Sequence, residues 1–195
     1  MLCLALAACG SGTARIGESS VIERFDAYLT PTEARNRAAS VDGGRAWSEG
    51  DKQHATYVYL GQDAEVAGDL GKAAELYSKA LAIRRYEMSN ADAHFDLARV
   101  AYKRSVRAES GDPASGGARR NEIIAAKLEV IEHLARFLTW VEQELSGDTP
   151  WGLTPEAHKE RLQIRSDALW ILRKVAEEIE AIPPPNIMEK TDMSK

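Results

Sequence analysis

The chain has 195 residues, 44% of them hydrophobic and 28% charged, with a formal net charge of −5. That is ample material for one buried core, and the balance excludes wholesale disorder. No apolar stretch reaches the roughly 20 residues a membrane-crossing helix needs, and both cysteines, Cys3 and Cys9, lie in the first nine residues, which leaves the body without a disulfide or a thiol nucleophile.

Residues 1–9 form a short apolar run closed by Leu6-Ala7-Ala8-Cys9 and followed by Gly10-Ser11-Gly12. Ser20 caps an expected short helix from Val21 to Leu29, which Pro31 interrupts. Residues 32–39 add a further turn or two, and Gly43-Gly44 mark a break. Ser48 with Asp51 three residues on has the spacing of a helix-capping arrangement. The first long helix therefore opens behind Ser48, and a second lies within the run Gly68–Leu81, read as G-D-L-G-K-A-A-E-L-Y-S-K-A-L. A third spans Ala91 to Arg107 behind Ser89 or Asn90 as cap. Glu109 to Gly117, rich in Gly and Ser and carrying Pro113, reads as a loop.

Two long helices complete the chain. From a cap at Asn121, the residues Ile124, Leu128, Ile131, Leu134, Leu138, Val141 and Leu145 recur at steps of three and four and define one expected buried stripe. Gly147 to Gly152 reverses the chain. Thr154 and Pro155 open the last helix, whose expected stripe is Leu162, Leu169, Leu172, Ala176, Ile179 and Ile182. Pro183-Pro184-Pro185 ends it. At about 1.5 Å per residue both approach 40 Å, so the expected fold is all-α, a short helical array capped by a C-terminal antiparallel pair of long helices. The expected divisions are 1–9, 10–50 as tether and short helices, 51–109 as the array, 110–120 as loop, 121–182 as hairpin and 183–195 as a Pro-led tail.

Leu60, Gly61, Ala64, Gly68, Ala73, Tyr77 and Ala80 stand at the spacing of the tetratricopeptide (TPR) repeat, which this segment resembles. A small residue at Gly61 lets the second helix approach the first, and Ala73 and Ala80 leave room for the Tyr77 ring. A degenerate second unit places Leu97, Ala98 and Ala101 where Leu60, Gly61 and Ala64 stood, 37 residues on against a family period of about 34. In that family the inner faces of the first helices line a groove for a partner peptide. The resemblance carries that role onto Val58, Gln62, Glu65 and Val66 in the first unit and Phe95, Arg99, Tyr102 and Lys103 in the second. The aromatics offer apolar area and the two cations offer donors to an acidic segment or a C-terminal carboxylate. The other reading of these residues is that the rings pack on a neighbouring helix and the cations are solvated.

The N-terminus resembles the lipobox of bacterial lipoproteins, which implies cleavage before Cys9 and a diacylglyceryl group on its thiol. The cationic residues expected ahead of the apolar run are missing, which points to a start assigned too far downstream. Gly10 in place of an aspartate implies the outer rather than the inner membrane. Together the two resemblances imply a lipid-anchored envelope adaptor or scaffold facing the periplasm, with a protein partner, no nucleic acid and no cofactor. A cytosolic adaptor is the first alternative. The second is a carrier or enzyme with a pocket between hairpin and array, walled by Trp140, Trp151 and Trp170.

Chemistry-bearing patterns are sparse. His54, His94, His133 and His158 are scattered, and Glu129 with His133 has helical spacing but reads as a weak surface pair, so neither a metal nor a catalytic set is expected. Between Lys79 and Arg120 nine cations face five anions, a basic middle suited to an acidic partner or anionic lipid, or simply to solvation.

Overall fold

The computed structural model describes residues 20–26, 49–83, 87–111, 116–147 and 155–183, and every regular element among them is helical. The helices are α1 (residues 20–26), α2 (Glu49–Val66), α3 (Leu70–Ala82), α4 (Glu87–Ser110), α5 (Gly116–Leu145) and α6 (Pro155–Glu180). From α2 onward each helix packs against the next in sequence. The expectations that fall on residues 1–19, 27–48, Trp151, Thr154 and the tail beyond Pro183 lie outside the described residues.

The α2–α3 turn shows why the sequence folds as it does here. Gly68 adopts φ +79°, the left-handed conformation that ends a helix and that glycine takes without strain. Gly68 N–H donates to the Glu65 carbonyl and Asp69 N–H to that of Ala64, the paired bonds of a Schellman ending. Asp69 then caps α3, its carboxylate accepting the Lys72 N–H at 3.0 Å. One glycine and one aspartate thus reverse the chain in three residues. Arg107 of α4 donates to the Gly68 carbonyl at 3.1–3.2 Å and pins the turn to that helix.

Close approach of α2 and α3 depends on Gly61. A Cβ placed there would lie 2.7 Å from Tyr77 Cε1, and the Tyr77 ring is wholly buried between Ala73 and Ala80, which are themselves fully buried. Leu70, Ala73 and Tyr77 of α3 join Leu97 and Val100 of α4 in one core cluster, with Val58 and Ala64 of α2 against it. Leu60, beside Gly61, is 46% exposed.

The second and larger cluster joins α4 (Ala91, Phe95, Ala98, Ala101, Tyr102) to α5 and α6, with Phe25 of α1 inside it. Helix α4 is therefore covered on opposite faces by the two clusters, which makes it the central strut. Ion pairs fix the antiparallel α5–α6 hairpin: Lys127 with Glu178, Arg165 with Glu142 and Arg161 with Glu144 run in opposite order along the two helices. Lys127 is almost wholly buried and also meets Glu109 of α4 at 2.7 Å, so one ammonium ties three helices together.

Two boundaries and two stripes differ from expectation. Helix α4 begins at Glu87 and α5 at Gly116, well before Asn121, so residues 116–120 of the expected loop are helix. Arg119 donates to the Ala108 and Glu109 carbonyls, closing the end of α4 with a side chain beside the Gly111 N–H, which also donates to Ala108. The buried face of α5 is Ala126, Lys127, Val130, Leu134, Phe137, Leu138 and Val141, leaving Leu128 52% exposed. On α6 the buried face is Ile164, Asp167, Ala168, Ile171 and Val175, with Leu162 and Leu169 exposed. Both helices carry more than one apolar track, and the neighbouring helices, not periodicity, selected the one that faces inward.

Replacing Gly61 with Ala should destabilise the protein by about 1–3 kcal/mol through overpacking against Tyr77. That sign is opposite to the gain of up to about 1 kcal/mol that alanine brings to a helix interior. Urea unfolding of the variant measures it.

Candidate binding groove

The eight groove positions separate into three groups. Glu65 and Arg99 meet as a buried ion pair with both side chains at 0% exposure: Arg99 Nε donates to Glu65 Oε1 at 2.9 Å and Nη2 to Oε2 at 3.0 Å. Arg99 Nη2 also donates to Asp96 at 2.7 Å, while Lys103 Nζ and the Tyr77 hydroxyl each donate to Glu65 at 3.0 Å. The inner faces of α2 and α4 do face each other, but they are sealed together. Arg99 cannot serve an incoming carboxylate, because its charge is already engaged in the core. Only Lys103, at 29% side-chain exposure, keeps one end toward solvent.

The ionisation behaviour of the cluster follows from this geometry. Burial pushes the Glu65 carboxyl up, but hydrogen bonds and charge from Arg99 and Lys103 outweigh it and hold the group below its ordinary value. Asp96 ends the other way: burial raises it to about 6, with Arg99 opposing and Glu65 reinforcing. Burial, together with Asp96 and Glu65, raises the Tyr77 hydroxyl so that it stays a donor. Two polar atoms in the cluster, Arg99 Nη1 and Gln62 Oε1, have no hydrogen-bond partner among the described residues.

The second group, Phe95 and Tyr102, lines a true aromatic socket, and α1 fills it. The Phe25 ring is fully buried, edge-on to Phe95 at 5.0 Å between centroids and to Tyr102 at 5.9 Å. Phe95 in turn lies 4.9 Å from Phe137 of α5. Such ring geometries add to burial worth about 1.5–3 kcal/mol for the one side chain. Charges flank the socket on both sides. Arg24 makes a bidentate pair with the buried Asp167 of α6 at 2.7–2.8 Å, and Asp26 lies 3.6 Å from Lys103. The expected open aromatic surface is therefore occupied by the chain's own segment.

The third group holds Val58, half-buried against the α3–α4 cluster, and Val66, 72% exposed on the last turn of α2. Neither faces the socket. Sequence reasoning placed a short helix after Ser20 but gave it no partner, although Val21, Ile22 and Phe25 at helical spacing mark an apolar face in need of one.

Histidines that look scattered in sequence also converge. His94 Nδ1 and His133 Nδ1 lie 3.0 Å apart between α4 and α5, a bond that requires at least one neutral ring. Burial lowers both; the His133 and Arg136 charges take His94 down to about 4 against Glu132, while Glu132 and Glu129 oppose the shift at His133. Glu129 itself pairs with Arg104 at 2.8 Å. Trp140 and Trp170 are partly buried and pack on the larger core cluster. Among the described residues no three His, Cys, Asp or Glu side chains converge as a metal set, and no helix is long and apolar enough to cross a membrane. Comparison with protein-family models, curated proteins and solved structures returns no match for this chain.

Removing the Arg99 charge with Arg99→Met should cost about 3–5 kcal/mol, because Glu65 and Asp96 stay buried without their main partner; denaturant unfolding checks it. The pH response has two opposing parts. The histidines have folded values below their ordinary one, so the unfolded chain takes protons first and stability falls as pH drops from about 6.5 toward 4. Asp96 has a raised folded value, so its contribution grows as pH drops through about 6. From pH 7 to 4.5, Asp96→Asn should lose more stability than the wild type, and a His94→Asn, His133→Asn double variant should lose less, read by thermal unfolding at each pH.

Proposed function

We propose that this all-α chain is an adaptor with TPR-like helical pairs, held to a bacterial envelope membrane by lipid on Cys9, and that it binds a segment of another protein as an assembly or accessory subunit. The observation that carries the binding reading is the aromatic socket of Phe95, Tyr102 and Phe137, already seating a short helix with an aromatic anchor. This is the helix-in-groove mode of peptide recognition. The α2–α3 pair supports the repeat resemblance through the contact of Gly61 with Tyr77. Partner chemistry is narrower than the inner-face residues imply: Lys103 presents a cation at one edge of the socket and Asp167 an anion at the other, so a purely acidic peptide satisfies only half of it.

The lipid reading rests on Leu6-Ala7-Ala8-Cys9, with the outer membrane favoured over the inner by Gly10. Ser20 lies eleven positions after Cys9, so a lipid at Cys9 would keep a docked α1 within about 40 Å of the bilayer. Growth with labelled palmitate should mark the wild-type protein and leave Cys9→Ser unmarked and released from membranes. Affinity purification from detergent-solubilised membranes should then recover a stoichiometric protein partner. An unlabelled, soluble wild type would overturn the anchored reading, and recovery of the chain alone would overturn the adaptor reading.

A further inference from the structure

Residues 20–26 meet the body as a ligand meets a receptor. Their helix lays Val21, Ile22 and Phe25 on the larger core cluster, and most helical stability in proteins comes from such packing. Twenty-two residues, 27–48, connect them to α2, so release would leave the segment covalently attached. The Phe25 ring anchors the segment with Val21 and Ile22 packed beside it, while Arg24 and Asp26 sit at the rim with side chains 42% and 46% exposed.

The socket does not depend on this occupant for its own satisfaction. Asp167 also accepts from Gln163 Nε2 at 3.0 Å, Lys103 also donates to Glu65 at 3.0 Å, and Phe95 also packs on Phe137. With the segment gone, Asp167, Lys103 and Phe95 would each still keep a partner within the body. A receptor surface that stays paired when vacated is preorganised for exchange.

We propose that residues 20–26 are an exchangeable, self-blocking occupant of this socket, and that the partner carries a helical segment with a basic, an aromatic and an acidic residue in succession, as in Arg24-Phe25-Asp26. This rests on the adaptor reading above for the existence of the partner, but not for the exchange itself. The basic residue pairs with Asp167, the ring enters between Phe95 and Tyr102, and the acidic residue faces Lys103. Binding of the partner is weakened by the fraction of time the chain's own segment holds the socket. Raising the partner's local concentration, as co-anchoring on one membrane does, tips the competition.

The test introduces a protease site within residues 27–48 of the full chain and uses a fluorescent synthetic peptide spanning residues 18–28. After nicking, the peptide should replace the cut segment while the helical circular dichroism of the body persists. The intact wild type should bind the same peptide at least about tenfold more weakly, because its own segment competes. A peptide carrying R24D and D26R should bind the nicked protein at least about tenfold more weakly than the native peptide, a difference of about 1.4 kcal/mol. The full chain with Phe25→Ala gives a second route: it should accept the native peptide without nicking. Melting of the body when the cut segment is removed, equal binding of the two peptides, or no exchange at all would each overturn the proposal. So would a wild-type dimer in which residues 20–26 crosslink to the other copy's socket, which would assign the site to a second copy. No cellular partner enters this assay, so a fruitless partner search counts against the adaptor reading alone, and failed exchange counts against this inference alone.

Discussion

The Arg99–Glu65 ion pair is the constraint around which the N-terminal half is arranged. Two charges with 0% side-chain exposure are stable only if their hydrogen bonds are met with good geometry. Meeting them brings together residues from three helices: Glu65 from α2, Tyr77 from α3, and Asp96, Arg99 and Lys103 from α4. An apolar interface tolerates a shifted register more readily than a network in which every slip strands a charge. The pair therefore acts as a register pin for α2 and α3 on α4, and Gly61 lets the Tyr77 ring come close enough to take part.

Helix α4 transmits that constraint to the rest of the molecule. Its Leu97 and Val100 face the small cluster with α3, while Phe95, Ala98 and Tyr102 face the large one with α5 and α6. Lys103 is the hinge between the two environments, donating inward to Glu65 and lying 3.6 Å from Asp26 at the socket rim. The same residue thus belongs to the structural network and to the rim of the aromatic socket. The inner faces of α2 and α4 do not form an open groove, because the cations on them are largely engaged in holding the helices together.

The hairpin covers the face of α4 that α2 and α3 leave open. Here α5 and α6 cover the open side of α4 and add the Phe137 ring and the Asp167 carboxylate to the socket. The site is composite, built from elements far apart in the chain.

How much of this could be read from the residues alone depended on the range of the interaction. Helical periodicity, the Gly68-Asp69 turn, Pro155 at the start of α6 and the Gly61–Tyr77 spacing are local patterns, and they sufficed for the all-α class, for the antiparallel hairpin and for the close contact of α2 with α3. Choosing which apolar track of α5 and α6 faces inward needs the neighbouring helices, so Leu128, Leu162 and Leu169 were expected inside and stand outside. The pairing of Glu65 with Arg99, of His94 with His133 and of Arg24 with Asp167 links residues 34, 39 and 143 positions apart. A single chain of letters carries a residue's chemistry but not its neighbours across such separations. Composition and periodicity thus determined that helices form and roughly where. Only the packed structure decided which charges are buried, which rings form a socket and which segment lies in it, because those outcomes follow from burial and long-range pairing.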